Sequence, residues 1–119
     1  MTQIIYKILT PAARAQMAQT GTLVPSGADA ADGFVHFSSA AQVGATLDRH
    51  YSAAKELVLV AVQARGLADL RWEASRDKAL FPHLYAPLTE DMVAQEFALN
   101  GARDGFEAWL AACDAQGLS

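Results

Sequence analysis

The stretch Glu56-Leu57-Val58-Leu59-Val60-Ala61-Val62-Gln63-Ala64 decides the fold. Its near-continuous apolar run predicts a strand buried on both faces, at the centre of a sheet. Upstream, Ile4 to Leu9 (IIYKIL) is rich in β-branched and aromatic residues and predicts another strand. Thr10-Pro11 then opens a helix. Thr10 suits the N-cap, and Pro11 suits the first helical position, where a missing N–H costs nothing. That helix runs through Ala12, Ala13, Met17 and Ala18 and stops at Gly21. Val24 to Gly33, with Pro25, Ser26, Gly27, Asp29 and Asp32, predicts a loop. Phe34 to Phe37 predicts a short second strand. Ser38 or Ser39 caps a helix through Tyr51, with Val43, Leu47 and Tyr51 (or His50) on one face.

Downstream of the central run, Gly66 to Leu70 predicts a turn or short helix. Leu70 to Ser75 predicts a strand with Arg71 and Glu73 on one face and Trp72 on the other. Arg76-Asp77-Lys78 is a charged turn. Pro82 predicts an edge or bulged strand, because it cannot donate to a ladder. Met92 to Leu99 is read as a strand, and Asn100-Gly101 breaks the chain. Asp104 and Glu107 suit a capping-box variant that opens a last helix, roughly 104–116, with Phe106, Trp109, Leu110 and Cys113 on its apolar side.

A chain of 119 residues is expected to form a single domain, 1–119, since splitting it would leave two cores too small to stand alone. Hydrophobic content of 52% is ample for a packed core. Net charge of −4 argues against general affinity for nucleic-acid backbone or anionic lipid, though not against recognition of one nucleotide through a local basic spot. One cysteine, Cys113, excludes an internal disulfide and any cysteine-rich metal site. The N-terminus lacks a signal-peptide pattern, and the longest apolar stretch is too short to cross a bilayer. Those features fit a cytoplasmic protein, monomer or homodimer, that does not engage membranes.

Three segments carry ionisable side chains beside large apolar rings: Gly33-Phe34-Val35-His36-Phe37-Ser38, Arg71-Trp72-Glu73-Ala74-Ser75-Arg76 and Leu80-Phe81-Pro82-His83-Leu84-Tyr85. We expect them to converge on one pocket for a small molecule or nucleotide. Alternation sets His36 opposite Val35 and Phe37, and it sets His83 and Tyr85 opposite Leu84. Ser38 is read first as an N-cap, with a ligand hydroxyl or phosphate as its alternative partner. Arg71 and Glu73 form either a substrate-positioning pair or a surface pair. Trp72 is read as core, with base stacking as the alternative. Arg76 suits a phosphate clamp or a solvated turn. Cys113 reads as packed, and no nucleophile elbow, Walker A loop, G-x-G-x-x-G or short-spaced metal motif occurs. No metal site is expected.

DGFVHFSSAAQV, LRWEASRDKALFPHLYAPL and the opening IIYKIL, in that order, resemble one small bacterial family, domain of unknown function 952. The resemblance covers roughly residues 4–93. That family is in turn distantly similar to the ADP-ribosyltransferase superfamily, above all to RNA 2′-phosphotransferases. The resemblance implies an α+β fold with a split, mostly antiparallel β core and flanking helices. It also implies a cleft for NAD or an ADP-ribose-like nucleotide, lined by His36, Ser38, Arg71, Trp72, Glu73, Arg76, His83 and Tyr85. His36 and Glu73 are then the catalytic candidates, Glu73 by stabilising an oxocarbenium-like centre, and Arg49, Arg71 and Arg76 the candidate phosphate-binding arginines. The first strand departs from the superfamily by carrying Tyr6-Lys7 where a ribose-holding histidine often stands. That departure keeps two other readings open: a non-catalytic ligand-binding module, and a protein-interaction domain using an edge strand and the Trp109 helix.

Overall fold

The computed structural model describes residues 3–75 and 78–116. The central run forms β4 (Glu56–Gln63), paired antiparallel with β1 (Ile4–Leu9) on one side and β7 (Val93–Asn100) on the other. A two-residue strand, β3 (Ser38–Ser39), adds to β1 and completes a four-stranded sheet in the order β3-β1-β4-β7. A second sheet has the order β2-β6-β5, built from Val35–His36 (β2), Leu80–Leu84 (β6) and Leu70–Ala74 (β5). All these pairings are antiparallel. The helices among the described residues are α1 (Pro11–Thr20), α2 (Gly27–Asp32), α3 (Ala40–His50) and α4 (Phe106–Gln116).

Alternation along β1 and β4 divides the core in two. Ile4, Tyr6, Ile8, Leu57, Leu59 and Ala61 face Val43 and Leu47 of α3 and Phe106, Leu110 and Cys113 of α4. Ile5, Leu9, Val60 and Val62 face the second sheet through Val35, Phe37 and Leu84, with Met17 of α1 beside them. Burial on both faces is why β4 has no polar alternation. The first helix follows its sequence signals. Thr10 Oγ1 accepts the Ala13 N–H at 3.1 Å, and Gly21 closes the helix at φ 90°, where a side chain would be strained.

Five expectations are corrected. Val24 to Gly33 is not all loop, because it contains α2, which Gly33 ends in the left-handed region at φ 81°. The Phe34–Phe37 strand is shorter than expected, Val35–His36, and a further two-residue strand, Ser38–Ser39, follows in the other sheet, since the chain crosses between sheets at Phe37. Pro82 lies in the middle strand of its sheet, not at an edge. Its carbonyl accepts the Phe37 N–H at 3.0 Å, so its nitrogen also points toward β2. β2 has already ended at His36, so the missing donor falls just beyond the ladder. Finally, Asp104 does not cap α4: its carboxylate accepts from Asn100 Nδ2 at 3.2 Å. Met92 closes a short 3-10 turn, Glu90–Met92, rather than starting β7. Of the charged turn, Arg76 and Asp77 lie outside the described residues.

Buried Arg14 fastens α1 to the end of the large sheet. Its guanidinium forks onto Glu90 at 2.6 and 2.9 Å, and its Nε donates to Glu96 at 3.0 Å. These bonds raise the guanidinium above its ordinary range, chiefly through Glu90, and hold Glu90 below the usual carboxylate range. Both carboxylates keep access to water, which limits the loss when the cation is removed. Arg14→Ala should therefore lower unfolding free energy by about 1–3 kcal/mol in a urea melt. A change within about 0.5 kcal/mol would class the fork as a surface pair.

Candidate functional site

The three polar segments are neighbours in one sheet. In the β2-β6-β5 order, His36 is the cross-strand partner of His83, and His83 is the partner of Arg71. Period-two alternation places Phe34, His36, Phe81, His83, Tyr85, Arg71 and Glu73 on one face. Val35, Leu84 and Leu70 point the other way, into the core. The polar face is a ring cluster. Phe34 stacks on His83 at 4.1 Å between centroids and lies 4.5 Å from His36 and 5.0 Å from Tyr85. The two imidazoles are 5.3 Å apart, edge to face.

Two carboxylate systems hold the imidazoles. Asp29, on α2, accepts the His36 backbone N–H at 3.0 Å, and its same oxygen lies 2.7 Å from His36 Nδ1. Its other oxygen meets Lys7 Nζ of β1 at 2.8 Å. Lys7 is 8% exposed and Asp29 7%, so this is a buried ion pair. His36 Nε2 lies 3.0 Å from Asp32, one turn further along α2. Both contacts are full hydrogen bonds only when both ring nitrogens carry protons. The second system is Glu73, whose Oε1 accepts from Tyr85 Oη at 2.6 Å and lies 2.8 Å from His83 Nδ1. The Tyr85 hydroxyl, then His83, pull the Glu73 carboxyl below its ordinary range, and Glu73 pushes the Tyr85 phenol up.

A cleft of about 740 Å³ opens where the two sheets part. Its walls come from the end of β1, the loop and helix around α2, one side of α3, and the β5–β6 turn. Among the described residues, the cationic or imidazole side chains on it are Lys7, Arg49, His36, His50 and His83, and the carboxylate is Asp29. Tyr51 closes part of the wall, with its phenol pushed up by burial and then by Asp29. No group of three His, Cys, Asp or Glu among the described residues is disposed to hold a metal ion.

The candidates from sequence therefore separate. His36, Ser38 and His83 line the cleft. Glu73 and Tyr85 stand beside His83 on the same sheet face but outside the cleft wall, and the Arg71 guanidinium lies 5.6 Å over the Tyr85 ring. Trp72 is not core. It sits on the opposite face of edge strand β5 and is 37% exposed. Ser38 is not the cap of α3. Ser39 takes that place, with its N–H donating to Gln42 Oε1 at 3.0 Å, and buried Ser38 instead bonds Thr46 across 3.2 Å. Arg76 lies outside the described residues. The sequence reading missed Lys7, Asp29, Asp32 and Phe34. A lone charge inside the apolar run IIYKIL was one available signal, and Phe34 sharing a strand face with His36 was another.

An α+β protein with two antiparallel sheets and a cleft lined in part by histidines is what the fold and site define. The sequence matches the family described as "Protein of unknown function (DUF952)" over residues 8–96, and the chain belongs to that family. It is similar to the crystal structure of protein CC0527 from Caulobacter crescentus, with 40% identity, a TM-score of 0.82, and coverage of 91% of this chain and 98% of that one. The solution structure of CC0527 gives 43% identity and a TM-score of 0.75 over 82% of this chain and 84% of that one. No curated protein matches the sequence.

Asp29→Asn would leave Lys7 buried without its counter-charge, at a cost of about 3–5 kcal/mol in chemical denaturation. Adding Lys7→Met should recover at least ~1 kcal/mol, a coupling that separates the ion pair from simple crowding. Strictly additive losses would show that the two side chains do not interact.

Proposed function

We propose that the cleft binds a phosphate-bearing nucleotide of the NAD or ADP-ribose class. One observation carries the reading. In a chain of net charge −4, the described residues of the cleft wall gather Lys7, Arg49 and three imidazoles, with Asp29 as their carboxylate. Such a clustering of nitrogen groups favours an anionic ligand even where the whole protein repels one. The volume of about 740 Å³ falls in the range of cofactor-sized sites. A split antiparallel core with its opening at the split is also what the resemblance to ADP-ribosyltransferases implies, so the two lines support the same ligand class. The start of α3 on the cleft wall, around Ala41 and Gln42, offers amide donors to a phosphate, while the Ser38 hydroxyl beside it is spent on Thr46. Arg76, which follows the cleft-lining Ser75 in sequence, remains a candidate phosphate clamp.

The role imagined for Glu73 at an oxocarbenium-like centre fits this geometry poorly. Its carboxylate is committed to Tyr85 and His83 and does not line the cleft. A ligand-binding module therefore accounts for the site with fewer assumptions than glycosidic transfer through Glu73. Isothermal calorimetry with NAD, ADP-ribose and 2′-phosphorylated nucleotides tests the proposal. Saturable heat with a Kd below about 1 mM is expected for at least one of them. Arg49→Ala should weaken that binding about tenfold or more, as loss of a charged hydrogen-bond donor does. Absence of heat with all of them at millimolar ligand would overturn it.

A further inference from the structure

His83 differs from the other two histidines in what its nitrogens do. His36 has a carboxylate at each ring nitrogen. His50 ends α3 on an exposed turn. His83 is 8% exposed and stacked on Phe34, and only its Nδ1 is engaged, by Glu73. Among the described residues nothing hydrogen-bonds its Nε2, yet no buried side-chain nitrogen or oxygen there lacks a partner. The Nε2 atom therefore reaches open space, and the space His83 borders is the cleft. A carboxylate on Nδ1 fixes the proton there and leaves the Nε2 lone pair outward. Tyr85, bonded to the same Glu73 oxygen, holds that carboxylate in place.

We propose that His83 is the proton acceptor of the cleft, with Glu73 and Tyr85 as its positioning residues. Its Nε2 takes the proton of a water or ligand hydroxyl as that oxygen attacks the bound ligand. The O–H bond breaks, its electron pair stays on oxygen, and an N–H bond forms at Nε2. The resulting imidazolium faces the Glu73 carboxylate across the existing 2.8 Å contact. The proton then passes from Nε2 to the leaving group, so no oxidant or reductant enters. The substrate class is one with an electrophilic centre open to hydroxyl attack, an ester or phosphoester of the bound ligand. Among the described residues, the charged or titratable neighbours of this imidazole besides Glu73 and Tyr85 are its cross-strand partners Arg71 on β5 and His36 on β2, with Asp32 of α2 on the far nitrogen of His36.

The proposal rests on the cleft being the ligand site but not on the nucleotide. Two measurements on the full chain test it. Long-range ¹H–¹⁵N spectra of the ¹⁵N-labelled protein should show His83 protonated at Nδ1 and bare at Nε2. A proton on Nε2 in the neutral ring would overturn it. Hydrolysis of p-nitrophenyl acetate, in which the activated water adds to the acetyl carbon and p-nitrophenolate leaves, should exceed that of equimolar free imidazole by about 10²-fold. His83→Gln should remove that excess. Should His83→Gln fail to fold, Glu73→Gln keeps the imidazole and should both slow the reaction and raise the share of Nε2-protonated ring. An unchanged rate in either folded variant, or a wild-type rate no better than imidazole, would overturn the proposal. Ester turnover without ADP-ribose binding would sink the nucleotide reading alone, and ADP-ribose binding with Nε2 protonated would sink this one alone.

Discussion

The carboxylate of Asp29 is the contact on which the rest of the structure depends. It sits where two sheets and a helix meet, and it bonds to all three. Through Lys7 it reaches β1 of the large sheet, through the His36 backbone and ring it reaches β2 of the small sheet, and it belongs to α2 itself. Burying an ammonium and a carboxylate together is a poor way to stabilise a protein, since an apolar pair of similar volume is often as good or better. What the ionic arrangement adds is direction. A carboxylate with three donors on it fixes distances and angles that a methyl cluster leaves loose. We read the hub as the device that sets the opening between the sheets, and with it the shape of the cleft.

That opening gives two histidines on adjacent strands different chemical characters. His36 is spent on the hub, because both of its ring nitrogens meet carboxylates and its main-chain N–H donates to the same Asp29 oxygen that Nδ1 meets. His83 stands across the ladder from it, with one nitrogen on Glu73 and the other without a partner among the described residues. Ring stacking on Phe34 keeps the two imidazoles in fixed register. The two imidazoles therefore lie 5.3 Å apart but differ in burial and in the carboxylates they meet.

Much of this was legible in the sequence where a single local rule governed. Uniform apolarity marked β4 as central, and Thr10-Pro11 with Gly21 bounded α1, because strand burial and helix caps are written in adjacent residues. Alternation also put His36, Glu73, His83 and Tyr85 on matching faces of their strands, and strand pairing makes those faces one. The misreadings share a different cause: each turns on where the chain goes next. Pro82 is tolerated mid-sheet only because β2 stops one residue short. The strand expected over Phe34 to Phe37 stops at His36 because the chain changes sheets. Trp72 stays exposed because β5 has no neighbour beyond it. Asp29 and Asp32 looked like turn formers among Ser, Gly and Pro, and α2 is too short for a hydrophobic period to reveal it. The buried Lys7 was visible as an oddity, but its partner lies 22 positions on and belongs to no motif.

Amide hydrogen exchange at His36 tests the central claim most directly. Its N–H is held by the buried Asp29 carboxylate at the junction of the sheets, not by a long ladder of its own. If the hub organises the molecule, that amide should exchange as slowly as the amides of Val60 and Val62 in the central strand, through global unfolding alone. Exchange at the rate of exposed turn amides such as Ala53 would contradict the account.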